Sequence, residues 1–264
     1  MIRAQGLVKK FGDLVAVNDV SFDVPRGEIF AFLGPNGAGK TTTIKMLTTL
    51  LTPTSGSLSL DGIDPVKDQT GARKQFGIVF QDPSVDDELT AWENMEFHGV
   101  LYSVPRKPRH ERIEQLLKLF ELWDRRDDFV KQFSGGMKRR LEIARSLLHT
   151  PKIVFLDEPT IGLDPQTRNQ LWTHVQKLNE SEQVTVFLTT HYMEEAERVA
   201  HRIAIIDHGR IVAQGTAEEL KQQTATASLE QAFLALTGAT IREEEASGID
   251  MMRNMSRAMG RNRR

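Results

Sequence analysis

The apolar run Ile29-Phe30-Ala31-Phe32-Leu33 leads without a break into Gly34-Pro35-Asn36-Gly37-Ala38-Gly39-Lys40-Thr41-Thr42. An uninterrupted apolar run of this length reads as a buried strand, and Gly34, Gly39, Lys40 and Thr41 fall at the G-x-x-x-x-G-K-T spacing of a phosphate-binding loop. Glycines let the backbone curl so that several N–H groups point inward at the β- and γ-phosphates of a nucleotide. A helix starting near Lys40 adds its positive N-terminal end. Lys40 supplies a mobile ammonium for the β/γ oxygens, and the Thr41 hydroxyl is placed to ligate Mg²⁺. A Gly-rich turn that binds nothing is the plainer alternative, and the match of letters and context together weighs against it.

A second feature narrows the chemistry. Ile153-Val154-Phe155-Leu156-Asp157-Glu158 is an apolar strand ending in two acids. Asp157 therefore emerges at the strand's C-terminal edge, where open α/β sheets bind ligands. There Asp157 is expected to hold Mg²⁺ through its shell, and Glu158 to polarise an attacking water. The alternative is a pair of solvated acids at a strand end.

Short runs rich in Val, Ile and Phe alternate with longer segments of helical period, which predicts an α/β fold with a mostly parallel sheet, here a P-loop NTPase core. Buried strands are expected at 29–33, 78–80, 153–156, 184–189 and 203–207. The stretches 2–23 and 56–61 alternate apolar with polar residues, as half-exposed antiparallel strands do, and predict a small β-subdomain beside the core. From about 86 to 150 the pattern is helical. Ile113, Leu116, Leu117 and Phe120 form one apolar face, and the segment Pro105 to Pro108 reads as a surface turn between two helices of an inserted helical subdomain. Residues 1–223 are taken as the main domain and 224–264 as a C-terminal accessory segment. In that segment Met251, Met252, Met255 and Met259 lie near one helical face, with Arg253, Arg257 and Arg261 on another. Such a tail suits anionic lipid, a partner, or plain solvent.

Composition excludes more than it assigns. The chain has 264 residues, 39% of them hydrophobic, enough for a sizeable core, and a formal net charge of −2, which points to no acidic or nucleic-acid ligand. The absence of cysteine rules out disulfide scaffolds, thiolate zinc sites and cysteine nucleophiles. No window approaches the ~18 apolar residues of a spanning helix, and no secretory signal is expected at the start.

The motif that names a family is Phe133-Ser134-Gly135-Gly136-Met137, which matches L-S-G-G-Q at its three central positions. On this motif, together with the phosphate loop and the paired acids, the chain resembles the ABC ATPases over roughly residues 1–223. Physically, a serine followed by two glycines at a helix N-terminus is another anion nest. The resemblance implies further roles. Gln81 would sense Mg²⁺ and report to a membrane partner, Asp164 in Gly162-Leu163-Asp164 would cross to a second subunit, and His191 would be the switch histidine at the γ-phosphate. Phe11 would stack on adenine, packing being the alternative. Phe133 in place of leucine should change packing only. Met137 in place of glutamine removes an amide from the face that meets nucleotide.

The resemblance further implies ATP and Mg²⁺ as ligands, with ATP hydrolysis as the activity. The partners implied are a second ABC ATPase subunit, expected to be identical, and an integral membrane permease on a separate chain. No nucleic acid is expected, and the location implied is the cytoplasmic face of the membrane. The stretches 81–102 and Ser228-Leu229-Glu230-Gln231-Ala232-Phe233-Leu234 look like those of the drug-resistance and polysaccharide-export subgroup. A non-transport ABC ATPase with a ribosomal or nucleic-acid partner is the main rival. Against it stand the single phosphate loop, the short interval between Lys40 and Ser134, and the lack of cysteine. A P-loop kinase or GTPase would have to explain away Ser134-Gly135-Gly136, Gln81 and His191 together.

Overall fold

The computed structural model describes residues 1–238. The elements run Ile2–Phe11 (β1), Leu14–Val24 (β2), Ile29–Leu33 (β3), Lys40–Leu47 (α1), Ser55–Leu60 (β4), Gln69–Arg73 (α2), Phe76–Val79 (β5), Ala91–Leu101 (α3), Arg106–Leu119 (α4), Gly135–Ser146 (α5), Ile153–Asp157 (β6), Pro165–Glu182 (α6), Thr185–Thr190 (β7), Met193–Val199 (α7), Arg202–Asp207 (β8), Arg210–Gly215 (β9), Ala217–Thr224 (α8) and Leu229–Thr237 (α9). Two short 3₁₀ turns, Trp123–Arg125 and Val130–Gln132, link α4 to α5.

The main sheet has strand order β5-β6-β7-β3-β8-β9, parallel except for the antiparallel edge strand β9. A separate antiparallel sheet has the order β2-β1-β4. The unbroken apolar runs follow from burial on both faces. In β3, Ile29, Ala31 and Leu33 join a core shared with α3 to α7, whereas Phe30 and Phe32 face the other way, toward α1 and the antiparallel sheet. Strands β6, β7 and β8 divide alike: Val154, Leu156, Val186, Leu188, Ile203 and Ile205 lie on the first side, and Phe155, Phe187 and Ile206 on the second. On that second side Phe22, Phe30, Phe32 and Phe187 pack with ring centroids 5.5–5.8 Å apart, locking the small sheet onto the large one.

The departures from expectation have local causes. Strand β5 covers Phe76–Val79 rather than 78–80, because the Phe80 carbonyl accepts a hydrogen bond from Arg139 instead of continuing the ladder. Strand β9 is reached through a two-residue turn at His208 and Gly209, both in the left-handed region. The surface turn expected at Pro105 to Pro108 ends at Pro105, which caps α4. Pro108 lies inside the first helical turn, where a missing N–H leaves no partner unsatisfied. The apolar face of α4 is as the periodicity requires, with Ile113, Leu116, Leu117 and Phe120 all buried. Past the boundary drawn at residue 224, Leu229 and Phe233 of α9 enter the main core. The methionine and arginine positions from 251 onward lie outside the described residues.

Candidate nucleotide site

Parallel register brings the expected residues together. Leu33 pairs with Thr190, Asp157 with Thr189 and Val79 with Leu156, so β3, β7, β6 and β5 all end at one edge of the sheet. The residues that leave this edge are Gly34, His191, Glu158 and Gln81. They converge on a cavity of about 490 Å³ lined by Ala16, Pro35 to Thr42, Gln81, Glu158, Ile161 and His191. A more open depression of about 570 Å³ between Glu121 and α6 gathers no such set of groups.

The loop's glycines are required where backbone crowds backbone. Gly39 has φ +106°, and a Cβ there would stand 2.6 Å from the Ala16 carbonyl oxygen. Lys40 is buried and its Nζ donates to the Gly34 carbonyl at 2.7 Å and the Pro35 carbonyl at 3.3 Å, with Glu158 Oε1 at 3.7 Å. Burial pushes its pKa down, opposed by the charges of Glu158 and Asp157. Its partners in this state are carbonyls and one carboxylate, and it lies at the head of α1, an arrangement suited to phosphate oxygens. Thr41 and Thr42 line the same cavity.

Asp157 is buried, and its Oδ1 accepts the Thr189 hydroxyl at 2.6 Å. Burial raises its carboxyl above the usual range, and that hydrogen bond works against the rise. A carboxylate held short of water in this way fits a nearby divalent cation. Glu158 sits in the left-handed region at φ +48°, a conformation costing about 1–2 kcal/mol for a residue with a Cβ. The strain is held by its N–H, which donates to Thr189 Oγ1 at 3.0 Å, and it turns the carboxylate toward the cavity. There Glu158 Oε2 is 2.9 Å from His191 Nδ1.

Other expected residues stand apart from the cavity. Ser134 caps α5, its hydroxyl accepting from the Met137 N–H at 3.3 Å. Ser134 and Gly135 are exposed, and a Cβ on Gly135 would meet nothing within 4 Å among the described residues. Gly136 differs, because a Cβ there would stand 2.3 Å from Thr167 Cγ2. Phe133 is buried and Met137 packs against the main core. Asp164 caps α6, accepting from the Gln166 and Thr167 N–H groups at 3.0 Å each. Phe11 pairs with Leu14 at the tip of the β1–β2 hairpin and is 47% exposed, close in sequence to the cavity residue Ala16.

Sequence reasoning missed Arg139. Buried in α5, it donates to the carbonyls of Pro159 at 2.7 Å and of Asp157 and Glu158 at 3.1 Å each, and pairs with Glu142 at 3.1 Å. Glu142 in turn accepts from the Ser84 hydroxyl at 3.0 Å. One helix thus ties the paired acids to the loop after Gln81. The only local signal was an Arg and a Glu three apart on a helix, a common surface pattern.

A profile of the ABC transporter family matches residues 17–161, more than half of the chain. The chain belongs to the ABC transporter family. Among its relatives is the daunorubicin/doxorubicin resistance ATP-binding protein of Streptomyces peucetius, 46% identical over 220 residues that cover 83% of this chain and 66% of that protein. The Nod factor export ATP-binding protein I of Ralstonia nicotianae is 41% identical over 220 residues, covering 83% of this chain and 68% of that one. Among solved structures, a dimeric ATP-binding cassette in a post-hydrolysis state, bound to ADP and Pi, superposes with TM-score 0.73 at 29% identity, covering 82% of this chain and 98% of that one. As an ABC ATPase cassette, the chain carries its phosphate loop, its paired acids and Ser134-Gly135-Gly136 inside the matched segment. Asp164 and His191 lie beyond it.

Proposed function

We propose that the chain is the ATP-hydrolysing subunit of an exporter, closing head to tail with an identical copy on two nucleotides and driving a membrane permease on a separate chain. The observation that carries this reading is a divided site. The cavity has the cradle, the lysine and the Glu158 carboxylate for a triphosphate, whereas the anion nest of Ser134 and Gly135 faces solvent elsewhere. Nothing among the described residues needs Gly135 to lack a side chain, so close approach from outside is the reason it would. A second copy would bring that nest to the exposed γ-phosphate and supply the missing donors.

In this scheme the loop N–H groups from Gly37 to Thr42 and Lys40 hold the phosphates, Phe11 stacks on adenine, and Gln81 lines the same cavity. Glu158 accepts a proton from the water whose oxygen attacks the γ-phosphorus, as ADP departs with the bridging oxygen's electron pair. His191, within hydrogen-bond distance of Glu158, holds that carboxylate and donates toward the γ-phosphate. Thr41, Asp157 and Gln81 would hold Mg²⁺, which when bound supplies charge neutralisation for the β- and γ-oxygens.

For the permease, the candidate surface is the C-terminal part of α3. Phe97, Val100 and Leu101 are exposed there, on the helix whose Asn94 amide grips the loop after Gln81. No helix among the described residues is long and apolar enough to cross a membrane; in this reading the chain reaches the cytoplasmic face of the membrane through that partner. Export is supported by the similarity to resistance and export ATP-binding proteins.

The test is trapping. With Glu158→Gln, which should bind ATP but turn it over ~10²-fold more slowly, size-exclusion chromatography in ATP and Mg²⁺ is expected to show a dimer. Adding Ser134→Arg should restore the monomer. A species indifferent to both nucleotide and Ser134 would refute the sandwich. Capture of the trapped chain from native membranes should bring down a multi-span protein in stoichiometric amount, and recovery of ribosomes instead would overturn transport.

A further inference from the structure

Behind the Glu158–His191 pair lies a buried carboxylate that the reaction above does not use. Glu195, in α7, accepts the Thr160 hydroxyl at 2.8 Å and the Thr190 hydroxyl at 3.3 Å on Oε2. Thr160 lies two residues past Glu158, on the loop that ends at Asp164. Thr190 immediately precedes His191, and its oxygen also accepts the Tyr192 N–H at 3.0 Å. The other oxygen of Glu195 is 3.8 Å from Arg168 Nη1, in the first turns of α6. The Arg168 guanidinium in turn lies 4.7 Å from the centroid of the Tyr192 ring. That ring meets the His191 imidazole at 4.1 Å, tilted 40°.

These contacts close a loop. From Glu158 they pass to His191, Tyr192, Arg168, Glu195 and Thr160, and from Thr160 back along two residues of chain. Space-filling alone does not call for this chemistry, since an apolar side chain in place of Glu195 would avoid the cost of desolvating a carboxylate. One oxygen of Glu195 takes the hydroxyls of both loops, which leaves the other to face the guanidinium. The stacking has a purpose as well. The His191 side chain is 41% exposed, so apart from its contact with Glu158 little else limits its rotamer.

We propose that Arg168, Tyr192 and Glu195 are positioning residues for hydrolysis: Glu195 pins Arg168, Arg168 holds the Tyr192 ring against His191, and the imidazole is thereby fixed on Glu158. The inference rests on reading Glu158 and His191 as the working pair. It also makes the setting of His191 depend on the loop ending at Asp164, because Arg168 is only four residues beyond that cap.

The test is steady-state ATP hydrolysis by the full chain with Mg²⁺, together with binding of a fluorescent ATP analogue. Tyr192→Leu and Arg168→Ala should each lower kcat about tenfold, the scale expected of a misplaced catalytic group, with analogue Kd within about twofold of the parent. Tyr192→Phe, which keeps the ring, should restore kcat. In a His191→Ala background Arg168→Ala should cost nothing more, because it acts through His191. An equal fractional loss in both backgrounds would overturn the proposal, as would full kcat in Tyr192→Leu, a half-buried position whose change the fold tolerates. Should His191→Ala alone leave kcat intact, the pair itself falls and the inference with it. If His191→Ala loses activity and Tyr192→Leu does not, the inference alone falls.

Discussion

Lys40 shows what a single residue must satisfy here. A buried ammonium is costly, and the chain offsets the cost with two carbonyls, a carboxylate at 3.7 Å and the negative potential of Asp157. These are the partners that a bound triphosphate would replace or join. Lys40→Ala is therefore expected to weaken ATP binding at least about 10²-fold by isothermal titration, the loss of a charge-assisted contact in a low-dielectric site. The fold itself should lose little, because the substitution removes a desolvated charge along with its hydrogen bonds. An unchanged Kd would mean that Lys40 is only a structural tie between the loop and Glu158. Its place could be read from sequence because the cue is local: an apolar strand, then glycines, then Lys and Thr. Asp157 and Glu158 carry the same kind of cue. The Thr189 hydroxyl that braces both has none, since it arrives from β7 through the register of the sheet.

At the scale of elements, α5 carries most of the connections between the two halves of the site. It starts at the Ser134 cap, passes α6 closely at Gly136, and reaches the paired acids through Arg139. The close pass is tight. A Cβ on residue 136 would clash with the Thr167 methyl, and Thr167 cannot simply rotate away because its hydroxyl donates to Asp164 at 2.6 Å. Gly136→Ala should thus cost about 1–3 kcal/mol in urea unfolding, the range for overpacking. Thr167→Ser removes the methyl and keeps the hydroxyl, so the double variant should recover most of that loss. No recovery would place the strain elsewhere. Such facts explain how much of the fold the sequence could yield. The central strands, the antiparallel sheet and the apolar face of α4 follow from periodicity. The edge strand β9 was missed although its His208-Gly209 turn sat in view. Arg139 and Glu195 were missed for a deeper reason: their partners come from separate strands and helices, and no spacing along the chain encodes them.

For the whole molecule, the histidines set a pH dependence whose sign can be worked out. His98 on α3 and His149 just after α5 sit at a half-buried junction with Tyr102, whose ring stacks on His149 at 3.9 Å. Burial lowers their pKa values to about 3 and about 4, with the charge of Arg145 adding to the effect on His98. The unfolded chain would take up protons on both near pH 6.5, while the folded chain refuses them until far lower pH. Their contribution is therefore fully present above about pH 6.5 and is lost as pH falls toward 4. The slope approaches about 1.4 kcal/mol per pH unit for each histidine in that window. His174, also lowered by burial, adds in the same direction. The buried acids Asp157 and Glu195 and the half-buried Glu28 work the other way, since desolvation raises their pKa values and folding then favours their protonated forms. Paired surface acids such as Asp61 and Glu96 are lowered by their cationic partners and matter only below about pH 4.5. Between pH 6.5 and 5 the histidines should accordingly dominate, and urea midpoints are expected to fall steadily across that interval. Replacing both, as His98→Leu with His149→Gln, removes two of the three histidines whose pKa is lowered and should flatten the curve by more than half, whatever it does to stability at pH 7. An unchanged slope in that variant would show that the acids, not the junction between α3 and α5, control how this cassette responds to acid.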